Sequence, residues 1–249
     1  MFTDTHCHVY KEYYENIEEV IEEAKLASIN RFILSSSDSN SCREVVDLVK
    51  KYSSFYGTLG FHPEVVDSYQ EKDLDYIEKN LTNSKIVAIG EIGLDYHYTK
   101  DKKEEQKLLF ESQLKLAEKY NLPVVIHSRE ATEDTIMLLK KYPKVKGVIH
   151  SFSGSLETAK IYISMGYKLG INGVVTFKNS HLKEILPDIL NSIVLETDSP
   201  YLTPHPYRGT KNSPKFIKEI AEYICDYCNI SLDDLAEITN QNIKCIFDI

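Results

Sequence analysis

The chain has 249 residues, of which 42% are hydrophobic, 27% charged and 10% aromatic, and it contains no low-complexity segment, a composition that excludes a disordered protein. Its formal net charge of -9 argues against a protein that coats duplex DNA through many Lys and Arg contacts to phosphate. It leaves room for a nucleic-acid enzyme whose positive charge is local and partly supplied by bound metal. Cys7, Cys42, Cys225, Cys228 and Cys245 are odd in number and irregularly spaced, so reduced thiols and no disulfide framework are expected. The N-terminus lacks a basic segment followed by a long apolar one, and no run approaches membrane-spanning length, so a cytoplasmic location and no membrane contact are expected.

The first element reads Phe2-Thr-Asp-Thr-His-Cys-His8. In a strand alternate side chains share a face, so His6 and His8 converge while Cys7 points the other way, which is the geometry of a metal clamp. Two nearby histidines are also common as surface or core residues, so the pair needs matching ligands from elsewhere. Ile17, Val20, Ile21 and Ala24 then recur at helical spacing, and an apolar run follows over 31–34. The alternation continues with a helix over 42–52, a strand over 55–60, a helix over 74–81 and a strand over 86–90. A long helix over 103–120 leads to a strand over 123–126, a helix over 132–141, a strand over 147–149 and a helix over 156–165. Strands over 168–171 and 193–195, a helix over 182–189 between them and two closing helices complete the chain. Such regular alternation predicts an α/β fold with a parallel sheet, and eight repeats in this length favour one (β/α)8 TIM barrel over an open doubly wound sheet. No linker or shift in composition marks a boundary, so residues 1–249 are expected to form one domain.

What stands after the apolar runs is chemically informative. Glu91 follows Ile86-Val-Ala-Ile-Gly90, His127 follows Pro123-Val-Val-Ile126, His150 follows Gly147-Val-Ile149, and Asp198 follows Ile193-Val-Leu-Glu-Thr197. In a parallel barrel the C-terminal strand ends open on one face and gather such residues. Any one of them alone reads equally well as a solvated or capping residue. Four histidines and two carboxylates clustered together would be repulsive or unsatisfied unless cations neutralise the carboxylates and use the imidazole lone pairs.

Asp4-Thr-His-Cys-His8, Gly60-Phe-His-Pro63, Gly90-Glu-Ile-Gly-Leu-Asp-Tyr96, Pro123-Val-Val-Ile-His-Ser-Arg-Glu-Ala131, His150-Ser-Phe-Ser-Gly-Ser155, Leu195-Glu-Thr-Asp-Ser-Pro-Tyr-Leu202 and Arg208-Gly-Thr-Lys-Asn-Ser-Pro214 together resemble the TatD family of metal-dependent deoxyribonucleases, over essentially the whole chain. Phe61 stands where an aliphatic residue is more usual, and Ser128 and Ser151 where many members carry Cys; none of these is a ligand position. The resemblance implies two divalent ions per chain, bridged by Glu91, with His6, His8 and Asp198 completing one shell and His127 and His150 the other. Nitrogen and oxygen ligands permit Zn, Mn, Co or Fe, whereas Mg normally prefers oxygen alone. It further implies hydrolysis of DNA phosphodiester bonds, from a 3' strand end and leaving 5'-phosphates, with Asp198 and Glu91 as the catalytic carboxylates. Single-stranded DNA or strand ends are the expected partner, and no obligate protein partner is evident.

Several neighbours are candidates for substrate binding. Arg129 lies two residues beyond His127, where a planar fork suits phosphate; it could instead pair with Asp95. His62 could touch the substrate phosphate or an additional ion. Ser153 precedes a helix whose N-terminus suits phosphate, and could equally be a cap. Arg208 and Asn212 could line the pocket or pair with Glu196. By contrast, Cys225 and Cys228 fall on the helical face of Ile217, Ile220, Ala221 and Ile224 and read as core, while Lys100, Lys102, Lys103 and Lys107 read as a solvated helix start. The same ligand set would serve a hydrolase acting on a carbonyl centre, such as an aminoacyl-tRNA deacylase or an amidohydrolase. A non-catalytic metal-binding protein is disfavoured, because it has no need of an open two-metal site.

Overall fold

In the computed structural model, which describes residues 1–70 and 72–249, the apolar runs become eight strands and the amphipathic stretches become helices between them. The order is β1 (Phe2–Cys7), α1 (Ile17–Leu26), β2 (Ile29–Ser35), α2 (Ser39–Lys51), β3 (Phe55–Leu59), α3 (Glu71–Asn80), β4 (Ile86–Asp95), α4 (Lys103–Tyr120) and β5 (Val124–Arg129). Then come α5 (Thr132–Lys141), β6 (Gly147–Ile149), α6 (Leu156–Ser164), β7 (Lys168–Ile171), α7 (Leu182–Ile189), β8 (Ile193–Leu195), α8 (Ile217–Cys228) and α9 (Leu232–Phe247). Parallel strands in this strand–helix alternation are the α/β fold of the (β/α)8 barrel class expected from the sequence. The local logic is visible in α1, where the Asn16 side chain accepts the Glu19 amide at 3.2 Å and Ile17, Val20, Ile21 and Ala24 form the buried stripe.

The chain divides into two compact units, residues 1–34 with 151–249, and residues 35–150. In the first, β1 pairs with β2 and β7 with β8, all parallel, and a bridge between Cys7 and Ser199 sets the end of β1 beside the segment after β8. In the second, β3, β4, β5 and β6 pair in sequence order, again all parallel. A Cβ on Gly60 would lie 2.7 Å from the carbonyl carbon of Gly90, so only glycine permits the close approach that brings the ends of β3 and β4 together.

Two strands run further than their apolar stretches. β4 continues through Glu91 to Asp95, and β5 continues through His127 and Ser128 to Arg129, with Gly93 opposite His127 and Asp95 opposite Arg129. Glu91 and His127 therefore lie within strands and not after them. All of β4 is buried, so its polar end is held by partners within the protein. α4 supplies two of these. The buried Gln106 accepts the Asp95 amide at 2.8 Å and donates to the Asp95 carbonyl at 2.8 Å, while Gln113, seven residues on, accepts the Phe61 amide at 2.8 Å and donates to the Phe61 carbonyl at 3.0 Å. Two side-chain amides on one helix face thus stand in for missing sheet partners at the ends of β3 and β4.

Cys225 joins the buried stripe of α8 and all five cysteines are free. The lysine cluster is answered by carboxylates. Lys102 meets Asp67 at 2.9 Å, and Lys107 meets Asp134 at 2.9 Å and Glu104 at 3.1 Å. The clamp by Gln113 carries a stability prediction. Gln113→Leu keeps the volume but strands the buried amide and carbonyl of Phe61, and should destabilise the protein by about 2–4 kcal/mol. Urea denaturation should show a lower midpoint at an unchanged slope; an unaltered midpoint would mean that the clamp contributes nothing.

Candidate metal centre

In the first unit, His6 at the end of β1, His8 just beyond it and Asp198 in the turn after β8 converge. The Asp198 carboxylate lies 3.7 Å from His6 Nε2 and 3.4 Å from His8 Nε2. Asp198 has φ of 57°, in the left-handed region that Asp tolerates better than most residues, and the backbone around it is pinned. Its amide donates to the His6 carbonyl at 2.9 Å, and the His8 amide donates to the Ser199 carbonyl at 2.8 Å. Beneath the turn, the fully buried carboxylate of Asp4 accepts the Thr197 amide at 2.9 Å, the Thr197 hydroxyl at 2.5 Å and the His6 amide at 3.3 Å. Burial pushes the Asp4 carboxyl up to about 8, against the lowering effect of these hydrogen bonds.

In the second unit, Glu91 is the hub. Its Oε1 lies 3.0 Å from His127 Nδ1, 3.6 Å from His62 Nε2 and 3.7 Å from His150 Nε2. The other nitrogen of His127, Nε2, lies 2.9 Å from Asp95 Oδ2, while Asp95 Oδ1 accepts the amides of His97 at 2.8 Å and Tyr98 at 3.0 Å. Burial works against a charged His127, but the bonds to Asp95 and Glu91 outweigh it and raise the ring to about 9. For Asp95, burial alone would raise the carboxyl, and the His127 bond with the two backbone amides brings it down to about 2. His62 is driven down to about 3, first by burial and then by the neighbouring His127. Its ring stands 4.4 Å from that of His127, centroid to centroid.

Both groups fit divalent cations by the chemistry of their donors. His6, His8 and Asp198 offer two nitrogens and one oxygen, as do His62, Glu91 and His127, and within each set the donor atoms lie within 4.8 Å of one another. This is the imidazole and carboxylate mixture that suits Zn and its first-row neighbours. Asp95 plays the part of an outer carboxylate, fixing one nitrogen of His127 and leaving the other turned toward Glu91. Five of the six ligands inferred from the sequence lie in these two sets, His62 joins the second, and His150 stands outside both with its Nε2 3.7 Å from Glu91.

The substrate-binding candidates divide. Arg129 does not pair with Asp95, whose oxygens are taken by His127 and two amides; its exposed guanidinium lies over the Tyr98 ring at 4.8 Å and remains available to an anion. Ser153 is exposed and does not cap the helix, because Ser155 does, accepting the Thr158 amide at 3.3 Å. Neither Arg208 nor Asn212 pairs with Glu196. Arg208 lies over the Phe177 ring at 4.0 Å and donates to the Thr203 carbonyl, whereas Glu196 accepts the Ser151 amide at 2.7 Å. The buried Asn212 is a bracket for the turn, donating to the carbonyls of Thr197 and Tyr201. Asp4 and Asp95 are the carboxylates that a search for strand-end ligands passes over, since both lie outside the two donor sets and bond to residues beside or within them.

Residues 3–248 match the family model described as TatD related DNase. The chain is 39% identical to the uncharacterized metal-dependent hydrolase YabD of Bacillus subtilis, with the whole of both chains covered. It is 31% identical to the uncharacterized metal-dependent hydrolase YjjV of Escherichia coli, covering 100% of this chain and 98% of that protein. Among solved structures, the TatD homolog YjjV matches with a TM-score of 0.94 at 30% identity over 100% of this chain and 98% of that one, and a TatD family hydrolase from Entamoeba histolytica with 0.89 at 26% identity over 99% and 97%. These relatives share the chain from end to end, and with them the two donor groups find their context: the protein belongs to the TatD family of metal-dependent hydrolases.

Proposed function

We propose that the protein hydrolyses phosphodiester bonds in DNA, removing nucleotides from a 3' end and leaving 5'-phosphates. The observation that carries this reading is the pair of donor groups, each of two imidazoles and a carboxylate, in a chain that matches a nuclease family over 3–248. His6, His8 and Asp198 would hold one divalent ion, and Glu91, His127 and His150 the other, with His62 as a further donor. When bound, two such ions acidify a water and neutralise charge on the phosphoryl and departing oxygens.

The chain's own groups supply the rest. Asp198 stands at the rim of its cluster, 14% exposed, and takes the proton of the attacking water as its oxygen bonds to phosphorus and the bond to the 3' oxygen breaks. The departing 3' oxygen then takes up a proton and leaves as a hydroxyl. Glu91 lies amid three imidazoles, at 3.0 to 3.7 Å, and would hold a cation together with them. Asp95 orients His127, and Arg129, which is free of ion pairs, offers its fork to a substrate phosphate.

The direct test is to load the protein with Mn or Zn, remove excess metal by mild dialysis, and assay it on 5'- and 3'-labelled single-stranded DNA with charged tRNA in parallel. About two ions per chain and stepwise shortening from the 3' end are expected. Fewer than one ion with full activity in chelator would overturn the metal reading, and turnover of charged tRNA alone would move the activity to a carbonyl centre.

Two variants separate the roles. Asp198→Asn keeps the size and a carbonyl oxygen but removes basicity, so it should stay folded, retain much of its metal and lose a factor of about 10² to 10⁴ in single-turnover cleavage. Near-normal turnover would remove Asp198 from the chemistry. Asp95→Asn keeps one oxygen for the His97 and Tyr98 amides while removing the charge that faces His127, and metal affinity or activity should fall about 10- to 100-fold. Titration with a competing chelator measures it, and unchanged affinity with unchanged activity would make Asp95 a purely local turn residue.

A further inference from the structure

Beside the first cluster stands an aromatic side chain that the mechanism does not use. Tyr201 follows Asp198 by three residues, is 50% exposed, and holds its ring centroid 6.1 Å from that of His8. Scattered surface aromatics need no explanation, but they are ordinarily free to turn. This ring is fixed. Its hydroxyl donates to the Tyr13 hydroxyl at 3.0 Å, its amide donates to the Asp198 carbonyl at 2.9 Å, and its carbonyl accepts from the Asn212 side chain. The neighbouring rings of His8 and Tyr13 meet it at interplanar angles of 66° and 70°, so neither is stacked upon it. Lys211 adds a cation on the far side of the pair, donating to the Tyr13 carbonyl.

A hydrogen-bonded, half-exposed ring 6.1 Å from that of His8 is an arrangement that can receive a planar heterocycle. We propose that Tyr201 is a nucleobase platform, on which the base flanking the scissile phosphate stacks while that phosphate engages the His6, His8 and Asp198 cluster. This rests on the nucleic-acid reading of the site and narrows it. A base in a duplex is already stacked, so the platform selects single-stranded or frayed ends, and it tolerates any base because each has a π face. It adds recognition that does not depend on surface charge, which suits a chain of net charge -9.

The test compares wild type, Tyr201→Leu and Tyr201→Phe on single-stranded DNA whose 3'-terminal and penultimate bases are normal, abasic or 2-aminopurine. Metal content and thermal midpoint serve as controls for the fold. Tyr201→Leu should raise KM about 5- to 100-fold on normal ends, the range that loss of one base–aromatic stack implies, and should be indistinguishable from wild type on abasic ends. Tyr201→Phe, which retains the ring, should restore most of the difference. On the metal-loaded protein, with a non-hydrolysable linkage at the 3' end so that nothing is cleaved, 2-aminopurine fluorescence should be quenched on binding to wild type and Tyr201→Phe but not to Tyr201→Leu. If the leucine variant does not fold, wild type alone should still disfavour abasic ends by the same factor. An equal KM on normal and abasic ends, or quenching that survives in Tyr201→Leu, would overturn the platform while leaving the nuclease reading intact. Failure of wild type to bind or cleave any single-stranded DNA would overturn both, unless charged tRNA is turned over with the same dependence on Tyr201, in which case the platform receives the terminal adenine and the DNA reading falls alone.

Discussion

The buried carboxylate of Asp4 is the contact on which the first donor group depends. It joins residues 193 positions apart in the sequence, because Thr197 donates to it as well as the nearby His6, and so sets the turn after β8 against the end of β1. A carboxylate with no exposed surface is costly unless its lone pairs are used, and here three donors use them. The same bonds leave the backbone of Asp198 little freedom to relax out of its left-handed conformation, which is what aims its side chain at His6 and His8. The ligand is placed by a residue that does not face the cation.

The second group repeats this economy with different parts. Asp95 holds one nitrogen of His127, and Gln106 in turn holds the backbone of Asp95 from both sides. Gln113 does the same for Phe61, the residue before His62. His127 therefore traces back to α4 through two hydrogen bonds and the backbone before His62 through one, so that α4 serves both β3 and β4. Polar residues on the buried face of a helix ordinarily weaken it. In α4 they are where strand ends, lacking a neighbour, find their last partners.

The strand and helix alternation was legible from periodicity because it reflects burial, and β6, β7 and β8 fall where their apolar runs lie. β4 and β5 were read too short for the same reason. Their final stretches carry Glu91, Gly93 and Asp95 in β4 and His127, Ser128 and Arg129 in β5, so the continuous apolar run breaks before the backbone pairing does. Five of the six inferred ligands fall in the two donor sets because metal-capable side chains toward the C-terminal ends of parallel strands are a chemical pattern in their own right. What the pattern could not convey was the outer layer. Asp95 reads as a partner for Arg129 until His127 is seen to occupy it, Ser153 reads as a cap until Ser155 is seen to be one, and Asp4 is masked by the neighbouring His6 and His8. Such residues act through backbone amides that can be assigned only once the chain is folded.

The charge balance ties these layers together. With 38 acidic against 29 basic residues, the chain has no general attraction for a polyanion, and several cations near the second group are already committed to carboxylates, Lys102 to Asp67 and Lys107 to Asp134. Arg129, stacked on Tyr98, stands apart from these pairs. On the proposed reading, affinity for a phosphodiester would arise at the donor groups, where bound cations would reverse the sign of the local field, and not over the surface at large. The carboxylates that make the chain acidic overall are, at Glu91 and Asp198, the same groups that would recruit that positive charge. An excess of acid in the composition and the proposed anionic substrate are compatible because the charge that would meet the substrate is not encoded in side chains but would be held by them.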